Sequence, residues 1–481
     1  MSNLSELLPT GGGQNAVDFV ASGTLSSGQT VALKADGTVE AVAEAAASTG
    51  TSVVFEAASV NYLASAYDSN SNKVVVAYED GGNSNKGTAV VGTVSGASIS
   101  FGTPVVYETG TVFSQTMVFD LSANKIVISY ADTGNSFYGT AVVGTVSGTN
   151  ISFGSTVVFQ SALTFDHGAA YDSTANKTVI AYRNRADSDY GYAIVGTVSG
   201  TSISFGTTTR FVAAVTTNLS ATYDSTNSKV VIAYSDNSNS SYGTAVVGTV
   251  SGTSMTFGTP VVFEAATVSK TSSVYDTANA SVVISYRDDG NSSYGTSVVG
   301  AVSGTAISFG TPVVWYSSAA TDPASSYDAS AGQVVVSFHD NPAANSRAIS
   351  GTVSGNSISF GSSVVFASVY ATNITSTYDE DAQRIILSYK NVSSSSYGTS
   401  LTFKDASTNS SDFIGITSKA ISDTATGAVN VYGGINEAQS GLTIGSDYYV
   451  QDDGTLSTTA SSVKVGQAIS ATTINMMDLK L

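Results

Sequence analysis

The chain has 481 residues, of which 42% are apolar, so it contains enough apolar material for a large core. Its net charge of −18 repels phosphate backbones and anionic membranes, so we expect no nucleic-acid partner. The chain has no cysteine, which excludes disulfides and thiolate chemistry. It also lacks a run of about 18 apolar residues, so we expect no membrane-inserted helix.

Residues 1–50 do not follow the repeat that occupies most of the chain. They begin without the basic and apolar segments of a signal peptide. The segment Leu8–Gln14, LPTGGGQ, predicts an extended arm that would be ordered by docking on a neighbouring subunit. Gly28 is followed by alternating apolar residues and then by Asp36-Gly37, a pattern that predicts a β-hairpin.

Residues 51–404 contain seven copies of a repeat of about 52 residues. In the first copy, turns rich in Asp, Asn and Ser separate four segments that predict antiparallel strands. Two further segments, Ala57–Leu63 and Glu79–Gly87, are predicted loops. Four strands in a repeat of this length are typical of a β-propeller blade. Each copy carries an aromatic–Asp pair, whose aromatic residues are Tyr67, Phe119, Tyr171, Tyr223, Tyr275, Tyr327 and Tyr378.

The seventh copy is one strand short. The segment Thr51–Glu56, TSVVFE, precedes the first copy and matches the outer-strand segment Thr103–Glu108, TPVVYE. We therefore predict that the N-terminal segment completes the last blade and closes a seven-bladed ring. The aromatic series that begin with Tyr67 and Tyr78 are predicted to fill the core between blades.

Residues 405–481 again lie outside the repeat, and they resemble the N-terminal end. Gly445 precedes Asp453-Gly454 by the same spacing that separates Gly28 from Asp36-Gly37. Ring closure would bring residues 50 and 405 side by side. The sequence thus predicts an all-β chain in which a seven-bladed propeller, 51–404, is inserted into a composite β-domain formed by 1–50 and 405–481.

The two ends resemble virion structural proteins of tailed phages, especially marine ones. The resemblance implies a tail-fibre-like or capsid-decoration-like protein at the virion surface, assembled in the host cytoplasm. It also implies that the terminal domain attaches to other virion proteins and to copies of itself, while the inserted part varies. The segments that carry the resemblance are LPTGGGQN (8–15), FVASGTL (19–25), ADGT (35–38), FIGIT (413–417), SGLTIG (440–445), YVQDDGTL (449–456) and VGQAISA (465–471).

Candidate ligand-binding residues lie in the two sets of predicted loops, because these differ from copy to copy while the turns on the opposite face are nearly identical. Aromatic residues there provide platforms for sugars or cover the junctions between blades. The polar residues form a ring for a glycan or a cation, or satisfy the N–H groups of the loops. Ca²⁺ binding is left open, no other cofactor is predicted, and His167 and His339 are expected at the surface. The candidates are Tyr62, Glu79, Phe113, Phe165, Arg183, Arg287, His339, Tyr370 and Lys390.

The combined patterns predict a non-enzymatic virion-surface protein whose propeller is displayed for attachment to a host-surface glycan or protein. No catalytic constellation is recognisable, since the abundant Asp residues occupy repeated turn positions. Three alternatives remain at this stage. The first is a capsid or tail decoration protein with a purely structural role, the second is a polysaccharide-degrading, tailspike-like enzyme, and the third is a secreted cellular adhesin.

Overall fold

The computed structural model describes residues 15–476, and the arm predicted for residues 8–14 lies outside this part of the chain. Contacts within the chain divide it into two compact units. One unit is Ser48–Lys404, and the other combines Met1–Ala47 with Asp405–Leu481. Almost all regular elements are β-strands, and the strands pair antiparallel. Within residues 15–476, no helix is long and apolar enough to cross a membrane.

A long strand, which we call the crossing strand, links each copy of the repeat to the next. The first half of Val105–Asp120 pairs with Lys86–Ser95 of the preceding copy, and the second half pairs with Lys125–Asp132 of its own copy. Irregular registers separate the halves, because the strand changes partners there. The crossing strands are Val53–Asp68, Val105–Asp120, Val157–Asp172, Thr209–Asp224, Val261–Asp276, Val313–Asp328 and, in two pieces, Val364–Ala367 with Ala371–Asp379.

Second and third strands follow the crossing strand in every copy, and a short fourth strand pairs with the third. Four copies have a single 3-10 turn between the second and third strands, at Gly81–Asn83, Thr133–Asn135, Arg185–Asp187 and Asn237–Asn239. The second strands are Lys73–Asp80, Lys125–Asp132, Lys177–Asn184, Lys229–Asp236, Ser281–Asp288, Gln333–Asp340 and Arg384–Asn391. The third strands are Lys86–Ser95, Tyr138–Ser147, Tyr190–Ser199, Tyr242–Ser251, Tyr294–Ser303, Asn345–Ser354 and Tyr397–Lys404. The fourth strands are Ser98–Phe101, Asn150–Phe153, Ser202–Phe205, Ser254–Phe257, Ala306–Phe309 and Ser357–Phe360, and Ser48–Thr49 pairs with the last third strand.

The prediction of a loop at Ala57–Leu63 is wrong, because these residues belong to the first crossing strand. One residue at each bulge has a left-handed backbone, which costs an L residue about 1–2 kcal/mol. Hydrogen bonds between copies offset part of this cost: Asn373 Oδ1 accepts from Tyr62 N at 2.8 Å, and Asp322 Oδ2 accepts from Asn373 N at 3.3 Å. The left-handed residues are Tyr62, Ser114, Asp166, Asn218, Lys270, Asp322 and Asn373, with φ between 49° and 54°.

The core lies around the second strands. Val74 and Tyr78 are fully buried, as expected for a strand that is covered on both faces. The Tyr78 ring packs 5.2 Å from the ring of Phe55 on the crossing strand. The third strand of the last copy, Tyr397–Lys404, also approaches the Phe55 ring. A Cβ atom at Gly398 would lie only 2.4 Å from Phe55 Cε2. Only glycine fits there without displacing the aromatic core.

The Tyr67 series is only partly core, which corrects the prediction. Most of its members are half-buried at the end of the crossing strand. Their hydroxyl groups accept hydrogen bonds from the turn of the preceding copy, as Tyr171 Oη does from Ser122 N at 3.1 Å. Tyr67 Oη accepts from Asp381 N at 3.3 Å, so the same contact joins the last copy to the first.

The start of the first crossing strand pairs with the last third strand. Val53 and Val54 lie opposite Ser400 and Thr399, and Glu56 lies opposite Gly398. A cavity of about 290 Å³ is lined by crossing-strand residues from all seven copies. The unit Ser48–Lys404 therefore has a β-propeller-like, all-β repeat fold.

The other unit is built from both ends of the chain. Its first sheet pairs Ala16–Val20 with Thr426–Val431, which also pairs with Phe413–Thr417. Thr30–Leu33 joins Phe413–Thr417 to Val39–Ala41, and this hairpin confirms the one predicted after Gly28. The pairing of Asp447–Val450 with Leu456–Ser457 confirms the corresponding hairpin after Gly445. The remaining elements are Ile435–Asn436, Lys464–Ala468 and Ile474–Met476 in the second sheet, the pair Glu44–Ala45 with Ser407–Thr408, and the 3-10 turn Ser410–Asp412.

Candidate ligand-binding face

The bulges of the crossing strands lie beside the ends of the second strands. Phe165 pairs with Arg183 in this way, and Asn61 pairs with Glu79. We call the residues at these bulges and strand ends, with the turns that follow the second strands, the variable face. The turns at the opposite end of the strands are built alike in each copy, for example where Asp68 Oδ1 accepts two backbone N–H groups at 3.0 Å.

Four aromatic side chains meet on the variable face, and we call them the aromatic cluster: Tyr62, Phe113, Phe137 and Phe165. Ring centroids lie 4.3 Å apart for Tyr62 and Phe113, and 5.6 Å apart for Phe113 and Phe165, which meet edge to face. Phe137 lies 5.7 Å from Phe165. All four rings are half-buried, so the cluster packs upon itself and still presents apolar surface to solvent.

Two arginines flank this cluster. The guanidinium carbons of Arg183 and Arg185 lie 5.2 Å and 5.8 Å from the Phe165 centroid, within the range of cation–π attraction. Arg183 also pairs with Asp166 at 3.0 Å and with Asp189 at 3.6 Å. Burial raises the pKa of the Asp166 carboxyl, although the Arg183 charge opposes that shift. Hydrogen-bond donors and acceptors therefore stand next to the aromatic surface.

A second aromatic platform lies where the sixth and seventh copies meet. The ring of Tyr370 packs 4.2 Å from the imidazole of His339, and Tyr370 is 39% exposed while His339 is 1% exposed. The prediction that His339 and His167 lie at the surface is wrong, because both are buried under neighbouring copies. Burial lowers the pKa of both imidazoles, and it lowers that of His167 to about 3. His167 Nδ1 and Nε2 lie 3.0 Å and 2.9 Å from the hydroxyls of Ser129 and Thr164.

Glu79 and Lys390 meet at the junction of the first and seventh copies. Lys390 Nζ donates to Asn61 Oδ1 at 2.8 Å. Burial raises the pKa of the Glu79 carboxyl, while a hydrogen bond with Asn61 and the charge of Lys390 oppose the shift. Arg287 stands apart from these groups and pairs with Asp289 at 2.6 Å.

The Asp residues that end most second strands act as caps of the following turn. Asp80 Oδ1 accepts from the backbone N–H groups of Gly82 and Asn83, and Asp236 Oδ1 accepts from Ser238 and Asn239. These bonds favour the interpretation that the polar series satisfies loop N–H groups. Within residues 15–476, no group of three His, Asp or Glu side chains is arranged to hold a metal ion.

The structure brings Tyr62, Phe113, Phe165 and Arg183 into one site. Sequence reasoning missed two of its members, Phe137 and Arg185, which lie in the turns after the second strands. A signal for Phe137 was present, because the other copies carry Asn85, Asp189, Ser241, Ser293, Ala344 and Ser396 at its left-handed turn position. An aromatic residue where the other copies have a polar or small residue indicates that the surface of this copy differs from that of the others.

No family model matches the chain, and no curated protein matches it either. Solved structures do resemble it. The BP39L lectin from Burkholderia pseudomallei is similar over 72% of this chain and 95% of its own, with a TM-score of 0.55 and 11% identity. A protein of unknown function from Dyadobacter fermentans covers 75% of this chain and 99% of its own, with a TM-score of 0.46 and 10% identity.

A protein from Lactobacillus plantarum is also similar, with a TM-score of 0.44 and 13% identity over 73% of this chain and 96% of its own. At these identities the likeness to the lectin bears on the fold alone. It agrees with the β-propeller-like arrangement of repeats described above.

Proposed function

We propose that the protein is a non-enzymatic carbohydrate-binding protein of a virion surface, and that its variable face attaches to a host-surface glycan. The observation that carries the proposal is the aromatic cluster beside Arg183 and Arg185. Aromatic rings stack on the apolar faces of sugar rings, while guanidinium and carboxylate groups bond to sugar hydroxyls. The cluster and the Arg183–Asp166 pair offer both kinds of group in one place.

The architecture belonging to this proposal is a seven-bladed propeller inserted into the unit formed by the chain ends. Three observations support it. The seven copies line one cavity, the start of the first crossing strand pairs with the last third strand, and hydrogen bonds join the last copy to the first. A ring has no open sheet edge, which protects such a long sheet from pairing with other chains.

The virion part of the proposal is supported by the resemblance of both chain ends to phage structural proteins. In this proposal, the unit formed by the ends attaches to other virion proteins and to copies of itself. Analytical ultracentrifugation of the purified, concentrated chain tests the self-association, and we expect a defined oligomer. A monomer at all concentrations would contradict an oligomerising terminal unit.

Binding to an array of host-surface glycans tests the attachment function. We expect Phe113→Thr and Phe165→Thr each to weaken glycan binding at least about tenfold, because each removes a stacking surface. Other copies carry Thr217, Thr321 and Thr372 at this bulge position, so the fold accommodates the substitution.

The control is Leu121→Ser, which removes an exposed apolar side chain at the opposite end of the strands, where the first copy has Ser69. We expect this variant to bind as the unmodified protein does. Equal effects of all three substitutions, or binding that survives both Phe substitutions, would argue against the aromatic cluster as the site.

A further inference from the structure

The junction between the sixth and seventh copies differs from the other junctions. Its crossing strand is interrupted between Ala367 and Ala371, whereas the other six crossing strands are continuous over 16 residues. The preceding connection is also shorter, because the second strand ends at Asp340 and the third begins at Asn345. The corresponding strands of the first copy end at Asp80 and begin at Lys86. At this part of the variable face, the strand pairing is therefore interrupted and the preceding connection is one residue shorter.

Tyr370 lies in this interruption, and two hydrogen bonds hold its backbone. Its backbone N–H donates to Ser393 Oγ at 3.0 Å, and its carbonyl oxygen accepts from Val392 N at 2.9 Å. The ring rests on His339, and a large part of the side chain is left exposed to solvent. An aromatic ring that packs on a buried side chain and is exposed on its other side has the geometry of a stacking platform.

The imidazole behind Tyr370 has an unsatisfied polar atom. His339 is almost completely buried, and its Nδ1 atom makes no hydrogen bond of normal geometry, although the Asn345 backbone interacts with the imidazole. A buried polar group without a partner costs free energy, and such groups occur at sites that accept a ligand or water. A ligand hydroxyl seated at the edge of Tyr370 would supply the partner after a small rotation of the tyrosine ring.

A continuous strip of the variable face connects Tyr370 with the aromatic cluster. After Tyr370 comes the seventh copy, whose Lys390 bonds to Asn61 of the first crossing strand. Tyr62 follows Asn61 directly and packs on Phe113. Lys390 and Glu79, which both interact with Asn61, have opposite charges, so this strip offers hydrogen-bonding groups without a strong net charge.

We propose that Tyr370 and His339 form a second stacking site and that one extended, neutral glycan chain spans the strip from Tyr370 to the aromatic cluster. The inference rests on the proposed function, since it specifies which glycans the variable face takes. A ligand long enough to contact both platforms binds with higher affinity than a short one. Once the first contact has formed, the second forms at a high effective concentration. A single terminal sugar reaches only one platform.

Calorimetric titration with neutral oligosaccharides of one repeating unit, from disaccharide to octasaccharide, tests the inference. Its starting point is a glycan that the array shows to bind. We expect the affinity to rise about tenfold or more with chain length and then to level off, as the second platform is filled. An affinity that is the same for the disaccharide and the octasaccharide would overturn the inference and leave the proposed function intact.

Tyr370→Ser and Tyr370→Phe distinguish the second platform from a general effect on the fold. Tyr370→Ser removes the platform at a position where the first copy carries Ser59, and Tyr370→Phe retains the ring. We expect Tyr370→Ser to abolish the length dependence while disaccharide binding stays within about twofold, and Tyr370→Phe to restore it. Unchanged octasaccharide binding by Tyr370→Ser would refute the second site, and no binding of any glycan by the unmodified protein would refute the proposed function as well.

Discussion

At the scale of residues, His167 is a buried polar side chain at a position that other copies fill with different residues. At the same position the second copy has Gln115, which is buried and bonds to Tyr107 and to the carbonyl of Tyr62. His167 likewise lies between two hydroxyl groups and has no charged partner among its hydrogen bonds. The site therefore favours the neutral imidazole.

Replacing His167 with Gln should make the folded protein less sensitive to acid. Burial lowers the pKa of His167 from 6.5 to about 3, so the unfolded chain binds a proton between these values while the folded chain does not. The free energy of unfolding is therefore unaffected by protonation of His167 above pH 6.5. Between pH 6.5 and about pH 3 it decreases as the pH falls, by up to about 1.4 kcal/mol per pH unit.

Denaturant unfolding between pH 4 and pH 7 measures this effect. The difference in stability between the two proteins should change by several kcal/mol at most and should favour His167→Gln at pH 4. A constant difference across this range would show that His167 is not the residue that titrates.

At the scale of elements, a tyrosine near the end of a crossing strand links adjacent copies at several junctions. Tyr171, Tyr223 and Tyr378 accept hydrogen bonds from turns of the preceding copies, at Ser122, Thr174 and Ser330. The second copy has Phe119 at this position and lacks the hydroxyl group.

Exchanging these side chains should move stability in opposite directions. Tyr171→Phe removes two hydrogen bonds, one accepted from Ser122 N and one donated to Asn176 Oδ1. It should lower the free energy of unfolding by at most about 0.5–1.5 kcal/mol for each bond. Phe119→Tyr adds a hydroxyl group that can accept from the turn N–H of Asn70, and should raise stability by a similar or smaller amount. Calorimetric melting of both variants checks this, and a loss of stability on adding the hydroxyl would contradict it.

At the scale of the whole molecule, the proposed ring has a single seam where no covalent bond joins neighbouring strands. Phe55 lies at this seam, with its ring 5.2 Å from Tyr78 and 5.4 Å from Phe101. Phe159 has the same packing within a continuous part of the chain, with 5.3 Å to Tyr182 and 5.4 Å to Phe205.

Phe55→Ala and Phe159→Ala should therefore have similar effects on stability but different effects on the self-association of the protein. Each should lower the free energy of unfolding by about 3–5 kcal/mol, because each removes a buried ring. Phe55→Ala should in addition form oligomers by strand exchange, since the first crossing strand can detach and leave a sheet edge open. Light scattering below the melting temperature measures this, and identical behaviour of the two variants would speak against a special seam.

The charge of the whole chain bears on the choice of ligand. With a net charge of −18, the protein repels acidic glycans, and Arg183, Lys270 and Arg287 on the variable face already pair with carboxylates. We expect a carboxylated counterpart of the bound glycan to bind at least about tenfold more weakly in low salt, and the gap to narrow as salt screens the repulsion. Stronger binding of the acidic form in low salt would contradict this.

The sequence by itself determined the period of the repeat, the second and third strands within it and the two terminal hairpins, but not the length of the crossing strands. These follow from local rules: alternating or continuous apolar residues predict strands, and Asp-Gly or Asp-Ser turns end them. The sequence also identified Tyr62, Phe113, Phe165 and Arg183 as candidates, because they break the likeness between copies.

Only the tertiary structure decided that these four residues meet, that Phe137 and Arg185 join them, and that Tyr370 rests on His339. Their contacts lie between different copies, so they depend on how successive crossing strands pack side by side. The burial of both histidines has the same origin, because neighbouring copies exclude water from residues that look polar and exposed in the sequence. Local patterns describe each copy, whereas the proposed binding surface arises from the differences between copies that the fold places next to each other.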